Sequence, residues 1–164
     1  MIKFCKMDSP IGDLYILEEN GYIIQISSSY TPSSEYKNEM SELLFMAVAQ
    51  LKEYFIGVRK EFTIPIKLTG TDFHKKVWMK LLDIPYGKLC CYKDIAESIG
   101  NPKAVRAVGG ANNKNPIMII VPCHRVVGSN GALIGYAAGL DKKEFLINLE
   151  RGVISNKNKS INYE

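Results

Sequence analysis

Apolar residues in the first part of the chain follow the short period of β-strands. Leu14–Leu17 and Tyr22–Ile26 are predicted strands, and Asn20-Gly21 between them favours a tight hairpin because both residues tolerate positive φ. The polar stretch 27–34, rich in Ser, Thr and Pro, predicts a loop. The chain therefore begins with a β-rich segment.

One predicted helix follows the hairpin. Its apolar positions recur at helical spacing, at Leu44, Val48, Leu51 and Phe55. Gly57 stands where a glycine ends a helix, and residues 61–67 predict a short strand or an extended linker. The domain boundary is predicted near Leu68-Thr69-Gly70. We expect an N-terminal domain at 1–68, a second domain at 69–152 and a frayed polar tail at 153–164.

The second domain is predicted to be mostly helical. One helix face collects the apolar residues Phe73, Val77, Trp78, Leu81 and Leu82. A short helix over Tyr92–Ile99 is expected to close at Gly100. Asn101-Pro102 then supplies an N-cap and a first-turn proline, which restart a helix from Lys103. Two helices joined by a tight turn make a helix-turn-helix motif.

The last predicted helix carries its own start signal. Asp141 is expected to cap it, Glu144 follows three residues later, and Leu140 with Phe145 fits a hydrophobic staple. Gly152 is expected to end it. The predicted fold is α+β, with a β-rich N-terminal domain and a mostly helical C-terminal domain.

The residues with the most reactive side chains follow an apolar run. Ile117–Val121 predicts a buried strand that ends at Pro122, and Cys123 and His124 come directly after it. The thiolate is the nucleophilic form of cysteine, and a neighbouring base raises its population. Cys123 is therefore the candidate nucleophile, held at the end of a strand.

Charge is distributed unevenly along the chain. Residues 1–68 carry 7 Lys and Arg against 9 Asp and Glu, whereas residues 69–151 carry 12 against 7, within a net charge of +4. The basic half favours a polyanionic partner, although a solvated lysine-rich surface explains the charge alone at least as well.

The cysteine and histidine content argues against a disulfide framework and against a metal. The four cysteines, Cys5, Cys90, Cys91 and Cys123, favour reduced thiols and a cytoplasmic location. There is no CxxC pair, no HExxH and only two histidines, so we expect neither a metal nor another cofactor. No run approaches the roughly 18 apolar residues of a membrane span, and a signal peptide is not expected.

The second helix of the helix-turn-helix has unusually small side chains. Residues 103–111 offer few groups that could read base edges, and Arg106 stands out as the long reaching side chain. Gly109-Gly110 costs helix stability and suggests close approach of the backbone to another surface. Such a helix suits the minor groove of DNA. The alternative is a packed core helix with a surface arginine.

Long motifs occupy the stretch from Tyr54 to Glu150. They are Tyr54-Phe55-Ile56-Gly57, Gly70-Thr71-x-Phe73, Val77-Trp78, Ile84-Pro85-Tyr86-Gly87, Tyr92, Gly100-Asn101-Pro102-Lys103-Ala104-x-Arg106-Ala107-Val108-Gly109-Gly110-Ala111, Asn115-Pro116, Pro122-Cys123-His124-Arg125-Val126 and Gly135-Tyr136. With these motifs the chain closely resembles the O6-alkylguanine-DNA alkyltransferases, also called methylated-DNA–protein-cysteine methyltransferases. The first 50 residues match only in general character.

The resemblance implies an activity and a partner. The N-terminal domain would be an RNase H-like support, and the protein would act as a monomer on double-stranded DNA that contains O6-alkylguanine or O4-alkylthymine. The alkyl group would pass irreversibly to Cys123. Because the thioether product has no easy route back to a thiol, each molecule would react once.

The resemblance also assigns catalytic roles. Cys123 would be the nucleophile, His124 would remove its proton through a water, and Glu150 would orient the imidazole. Tyr92 would hydrogen-bond the guanine ring and crowd the 3′ phosphate, and Asn115 would tie the helix-turn-helix to the active-site strand. From the sequence alone, Glu150 is a surface carboxylate of the last helix.

DNA contacts come from the same resemblance. Arg106 would fill the gap left when the guanine rotates out of the duplex, a step that is required because the base stack hides the alkyl group. Further DNA contacts are implied for Tyr92, Ala104, Ala107, Gly109 and Arg125. The guanine pocket would be lined by Tyr136, Val126 and Ala137.

Three other functions remain open. A non-catalytic lesion-binding module, as in alkyltransferase-like proteins, would carry another residue, typically tryptophan, in place of Cys123. An unrelated cysteine hydrolase would leave the helix-turn-helix and Arg106 unexplained. A transcription factor would need base-reading side chains on the second helix, and they are absent.

Overall fold

A computed structural model describes residues 1–153 and divides the chain into two compact units. The first unit comprises Met1–Thr69 together with Pro116–Met118, and the second comprises Gly70–Asn115 and the residues from Ile119 onward. Apart from residue 153, the predicted polar tail lies outside the described residues.

A four-stranded sheet with the order β3-β2-β1-β4 organises the first unit. Its strands are β1 (Lys3–Met7), β2 (Leu14–Glu19), β3 (Tyr22–Ser27) and β4 (Lys37–Asn38). The β1–β2 and β2–β3 pairs are antiparallel, whereas β4 runs parallel to β1. Asn20 and Gly21 join β2 to β3 with φ of 53° and 83°, which confirms the predicted hairpin.

The predicted helix of this unit is α1 (Glu42–Phe55). The Ser41 hydroxyl caps it by accepting the Leu44 N–H at 3.1 Å, and Gly57 follows its end with a φ of 83°. Within residues 61–67, Ile66 forms a parallel bridge to Ile23. This isolated bridge identifies the segment as an extended connection.

The second unit begins with α2 (Asp72–Leu81), which Thr71 caps. Val77, Trp78 and Leu81 are buried as predicted. Leu82 was expected on the same face, but it lies just past the last residue of the helix and is 38% exposed. The Trp78 indole N–H donates to the Ala111 carbonyl at 2.8 Å, so α2 and the helix that carries Ala111 are joined by a buried hydrogen bond.

The helix-turn-helix consists of α3 (Tyr92–Ser98) and α4 (Val105–Asn113). Gly100 adopts a φ of 79° after α3, as a helix-ending glycine requires. The second helix begins two residues later than predicted. Asn101 does not cap it, because residues 101–104 form a turn that the Ala104 N–H closes on the Asn101 carbonyl at 3.0 Å.

The apolar run before Cys123 is buried, but it is not the strand that the sequence predicted. Ile119 has a φ of 74°, a conformation that a β-branched residue rarely adopts and that breaks the extended backbone. The chain then passes through Pro122 into a short 3-10 helix over Cys123–Arg125 and into β6 (Val126–Val127). This strand pairs in parallel with β5 (Cys90–Cys91).

The last helix is α5 (Leu140–Arg151), and it ends at Gly152 as predicted. Its predicted start was wrong. Gly139 occupies the cap position with φ 112° and ψ 145°, and no side chain caps the helix, so Asp141 lies in the first turn. None of the helices in the described part of the chain is long and apolar enough to span a membrane.

Candidate active site

A turn at Pro122 sets the position of Cys123. With φ −83° and ψ 63°, Pro122 forms an inverse γ-turn, closed by the Cys123 N–H on the Val121 carbonyl at 2.8 Å. Two residues later, the Arg125 N–H donates to the Pro122 carbonyl at 3.0 Å. The cysteine is therefore held by local backbone hydrogen bonds rather than by the predicted strand end.

Asn115 holds the sulfur of Cys123. Its side-chain Nδ2 donates to the Val121 carbonyl at 2.7 Å and lies 3.1 Å from Cys123 Sγ. Burial raises the pKa of the Cys123 thiol, while the Asn115 hydrogen bond and the charge of Lys143 act in the opposite direction. Because the net shift is upward, the thiol is protonated at neutral pH and needs a base before it can react.

The candidate base, His124, is completely buried. Its Nε2 lies 2.5 Å from Glu150 Oε2, and its Nδ1 has no hydrogen-bond partner within the described residues. Burial lowers the pKa of His124, and Glu150 opposes that shift. A neutral imidazole whose Nε2–H donates to the carboxylate keeps a free lone pair on Nδ1, which is what a proton acceptor requires.

Glu150 is buried at the end of α5. The sequence alone had suggested an exposed carboxylate. Glu150 accepts the Gly87 N–H at 3.2 Å in addition to its contact with His124. Burial would raise the pKa of this carboxyl, but the nearby His124 and Arg125 bring it far below its usual range. The carboxylate is therefore ionised.

Arg125 was expected at the DNA surface, and the structure places it in the interior instead. It is 7% exposed, and its guanidinium binds Glu150 and the Ile84 carbonyl, with Nη1 2.6 Å from that oxygen. The Tyr86 ring lies beneath the guanidinium, 5.7 Å from Cζ. A DNA contact does not fit this placement, because every described contact of the guanidinium is inside the unit.

Lys143 is a site residue that the sequence analysis missed. It is fully buried on α5, and its Nζ donates to the Ile134 carbonyl at 2.8 Å and lies 3.4 Å from the Tyr92 hydroxyl. Burial lowers its pKa to about 8, although the nearby Cys123 opposes the shift. Lys143 precedes Glu150 by seven residues, so the helical stripe that buries one also buries the other. That spacing was the available signal.

Tyr92 begins α3, and its side chain closes the site next to Lys143. Its hydroxyl donates to the Ile134 carbonyl at 2.8 Å. Gly135 follows with a φ of 64°, and a Cβ on that residue would lie 3.1 Å from the Tyr92 hydroxyl. A larger residue at 135 would therefore displace the phenol.

The expected pocket residues have different environments. Val126 is completely buried in β6, whereas Ala137 is exposed. The Tyr136 hydroxyl is buried and has no hydrogen-bond partner among the described residues. Burial raises the pKa of Tyr136 well above its ordinary value, and the nearby Cys123 raises it further.

The second helix of the helix-turn-helix presents its small side chains to solvent. Arg106 and Ala107 are exposed, and Ala104 and Gly109 are half-buried. A surface cavity of about 810 Å³ adjoins this helix, and its lining includes Tyr92, Lys103, Arg106, Gly109, Ile134 and Gly135. Arg106 and Tyr92 thus share one cavity.

The described residues include no group of three or more His, Cys, Asp or Glu side chains arranged to hold a metal ion.

Two family models match almost the whole chain. The ribonuclease-like domain of 6-O-methylguanine DNA methyltransferase matches residues 2–68, and the DNA binding domain of the same family matches residues 72–152.

Similar proteins cover most of the chain. A methylated-DNA–protein-cysteine methyltransferase of Methanosarcina acetivorans is 47% identical over 90% of this chain and 97% of its own length. A constitutive methylated-DNA–protein-cysteine methyltransferase of Bacillus subtilis is 45% identical, over 90% of this chain and 94% of its own. The structure also matches the crystal structure of Mycobacterium tuberculosis OGT in complex with DNA, with a TM-score of 0.86 and a sequence identity of 42%. The match covers 92% of this chain and 93% of the other chain. On these matches of sequence and fold, the chain belongs to the 6-O-methylguanine DNA methyltransferase family.

Proposed function

We propose that this protein repairs DNA by direct reversal of alkylation damage. It takes the alkyl group from O6 of guanine in duplex DNA, and from O4 of thymine, onto its own Cys123. The observation that carries the proposal is the buried series of Cys123, His124 and Glu150, with Nε2 of the histidine 2.5 Å from the carboxylate. These three residues supply the nucleophile, the base and the orienting carboxylate for alkyl transfer to a thiol.

The proton and the electron pair can be followed through the reaction. A water relays the Cys123 thiol proton to Nδ1 of His124, whose Nε2–H stays on ionised Glu150. The sulfur then forms a bond to the alkyl carbon as the bond from that carbon to O6 breaks. The electron pair stays on the purine. The purine takes one proton from water to give neutral guanine, and the His124 imidazolium returns one proton to water.

Tyr92 and Lys143 support the departure of the purine. The Tyr92 hydroxyl donates to the Ile134 carbonyl and lies 3.4 Å from Lys143 Nζ. When the base is bound, the phenol turns its hydrogen from that carbonyl toward the base, and the positive charge of Lys143 lies behind it. A donor fixed near developing negative charge lowers the barrier without reorganising during the reaction. The same lysine also favours the thiolate of Cys123.

The damaged base has to leave the duplex to reach the sulfur. Cys123 is only 4% exposed, so a stacked base cannot contact it. Arg106 is exposed on α4 and shares a cavity with Tyr92, an arrangement that suits a side chain inserted in place of the flipped guanine. The small exposed side chains of α4 allow its backbone to approach the minor groove.

The reaction consumes the protein. The product is a thioether, which thiol–disulfide exchange cannot reverse, so each molecule performs one transfer. We expect a monomer acting in the cytoplasm, where its four free cysteines stay reduced. A lesion-binding module without transfer is less favoured, because Cys123 is present with a base and an orienting carboxylate.

A titration tests this proposal. The protein is incubated with increasing amounts of duplex DNA that carries a radiolabelled O6-methylguanine, and protein-bound label is counted. The expected result is a plateau at one methyl group per molecule, with no transfer by Cys123→Ser even though that variant still binds the duplex. Removal of more than one labelled methyl group from the DNA per protein molecule would contradict the proposal, and so would transfer by Cys123→Ser.

A further inference from the structure

Asn112, in the last turn of α4, is an almost completely buried polar side chain with 1% exposure. Its Nδ2 donates to the carbonyl oxygen of Cys123 at 3.3 Å. Burial and the nearby Cys123 raise the pKa of Tyr92 to about 12, and a hydrogen bond from the Asn112 side chain acts against that rise. One amide therefore contacts both the backbone of the nucleophile and the phenol.

The oxygen of the Asn112 amide lowers the stability of the fold. Oδ1 of Asn112 is buried and has no hydrogen-bond partner within the described residues. A buried acceptor without a partner costs about 1–3 kcal/mol, whereas an apolar side chain of similar shape avoids that cost. This cost offsets the gain from the Nδ2 hydrogen bond, so the asparagine adds little to the stability of the fold, and its use points to the active site.

Asn112 and Asn115 hold Cys123 at two different points. Asn115 lies 3.1 Å from the sulfur, and Asn112 contacts the backbone carbonyl of the same residue. Transfer to sulfur needs the attacking atom in line with the bond that breaks, and a displacement of about 1 Å can cost about a hundredfold in rate. The backbone hydrogen bond limits movement that the sulfur contact alone does not restrain.

We propose that Asn112 is a positioning residue that couples Cys123 and Tyr92 to the DNA-binding helix α4. Arg106 precedes Asn112 by six residues, about 9 Å along the same helix. A shift of α4 when Arg106 enters the duplex is thereby passed to the carbonyl of Cys123 and to the hydroxyl of Tyr92. This inference rests on the proposed alkyl transfer.

Two variants that lack the Nδ2 donor test the role of Asn112. Asn112→Leu removes both polar atoms with little change of shape, and Asn112→Asp keeps the shape but replaces the Nδ2 donor with a second oxygen. Matched changes at exposed Asn38 in β4, Asn38→Leu and Asn38→Asp, are the controls, because Asn38 lies outside the DNA-binding helix. The single-turnover rate of methyl transfer is measured against duplex concentration, and the thermal unfolding midpoint is measured for each protein.

Both Asn112 variants are expected to lower the saturating rate on the order of a hundredfold. The duplex concentration at half-saturation should change less than about twofold, because DNA binding uses the exposed face of α4. Asn112→Leu should unfold at about the same temperature as the wild type, since removing the unpaired acceptor offsets the loss of the Nδ2 hydrogen bond. Lower activity without lower stability is a combination that a purely structural asparagine does not give.

Other outcomes would overturn the positioning role. They are a saturating rate within about twofold of the wild type in either folded variant, a loss of rate that only follows the loss of folded protein, or failure of both variants to fold. If the wild type and both Asn38 controls transfer nothing, the proposed function itself fails and this inference fails with it.

Discussion

Arg125 binds both carboxylate oxygens of Glu150 in the interior of the second unit, with Nε 2.7 Å from Oε1 and Nη2 3.1 Å from Oε2. The arginine supplies the positive charge that a buried carboxylate needs. His124 can therefore stay neutral while it is hydrogen-bonded to the same carboxylate. A neutral imidazole can accept the thiol proton, so the ion pair beside the histidine keeps it functional as a base.

Glu150→Gln should lower the free energy of unfolding at neutral pH by about 3 kcal/mol, because it leaves the buried Arg125 charge without its partner. The pKa of Glu150 is depressed in the folded state. Its stabilising effect is thus fully present above the unfolded carboxyl pKa of about 4.3 and is lost as the pH falls from there toward the folded pKa.

Urea unfolding between pH 7 and pH 3 measures this effect. The wild type should lose stability faster than Glu150→Gln as the medium becomes acidic, so the two curves should converge. Parallel curves would show that Glu150 is not the titrating carboxylate. Glu144→Gln, at a half-buried position six residues earlier on α5, is the control for changing a carboxylate of this helix.

Lys143→Met should separate stability from activity. The pKa of Lys143 is depressed to about 8 from an ordinary 10.5, so between these values the unfolded chain binds a proton that the folded protein lacks. Stability of the wild type should rise with pH through that window. The methionine variant should lose this rise and be more stable at pH 7, yet transfer methyl groups on the order of a hundredfold more slowly.

Unfolding measured from pH 7 to pH 10.5 and single-turnover kinetics test the lysine. Lys142→Met is the matched control, because Lys142 is only half-buried on the same helix. Unchanged transfer by Lys143→Met would exclude a role for the cation in the reaction.

Gly135→Ala should slow methyl transfer because it displaces the Tyr92 side chain. The new Cβ would lie 3.1 Å from the Tyr92 hydroxyl at a residue whose φ is 64°. The positive φ alone costs about 1–2 kcal/mol for alanine. Gly100→Ala is the control, because it shares that backbone cost at a φ of 79° but its Cβ meets no atom within 4 Å.

Thermal unfolding should show a lower midpoint in both variants, and single-turnover assays should show slower transfer in Gly135→Ala alone. Equal transfer rates would mean that Tyr92 tolerates the displacement.

Arg106→Ala should impair transfer from duplex DNA but not from the free O6-methylguanine base. Only the duplex substrate requires a base to be rotated out and replaced, a step that costs a few kcal/mol. The expected loss on duplex is on the order of a hundredfold. Lys114→Ala, at an exposed position just beyond α4, is the control. An equal loss with both substrates would assign Arg106 to the chemical step instead of base rotation.

Local signals in the sequence predicted the elements that local physics decides. Asn20-Gly21 specified its hairpin, and Gly57 and Gly152 marked helix ends, because each needs only its immediate neighbours. Helix starts were less predictable. Asn101 and Asp141 have side chains that can cap a helix, but Ala104 and Gly139 occupy the cap positions, and no side chain caps either helix.

The interior contacts of the site could not be predicted from local patterns. His124 and Glu150 are 26 residues apart, and Lys143 lies 51 residues from Tyr92. Such contacts depend on how α5 packs beside the 3-10 helix. Arg125 shows the limit most clearly, because its long charged side chain suggested DNA and its buried partner was not evident. Ile119 likewise interrupts a run whose composition favours a strand.

Peptide mass spectrometry shows whether Cys123 is the residue that accepts the methyl group. The protein is mixed with an equimolar duplex that contains one O6-methylguanine, then digested and compared with untreated protein. The peptide containing Cys123 is expected to gain the mass of one methyl group in place of the thiol hydrogen, while peptides with Cys5, Cys90 and Cys91 stay unchanged. Tight binding to the duplex with an unmodified Cys123, or methylation at another cysteine, would contradict this expectation.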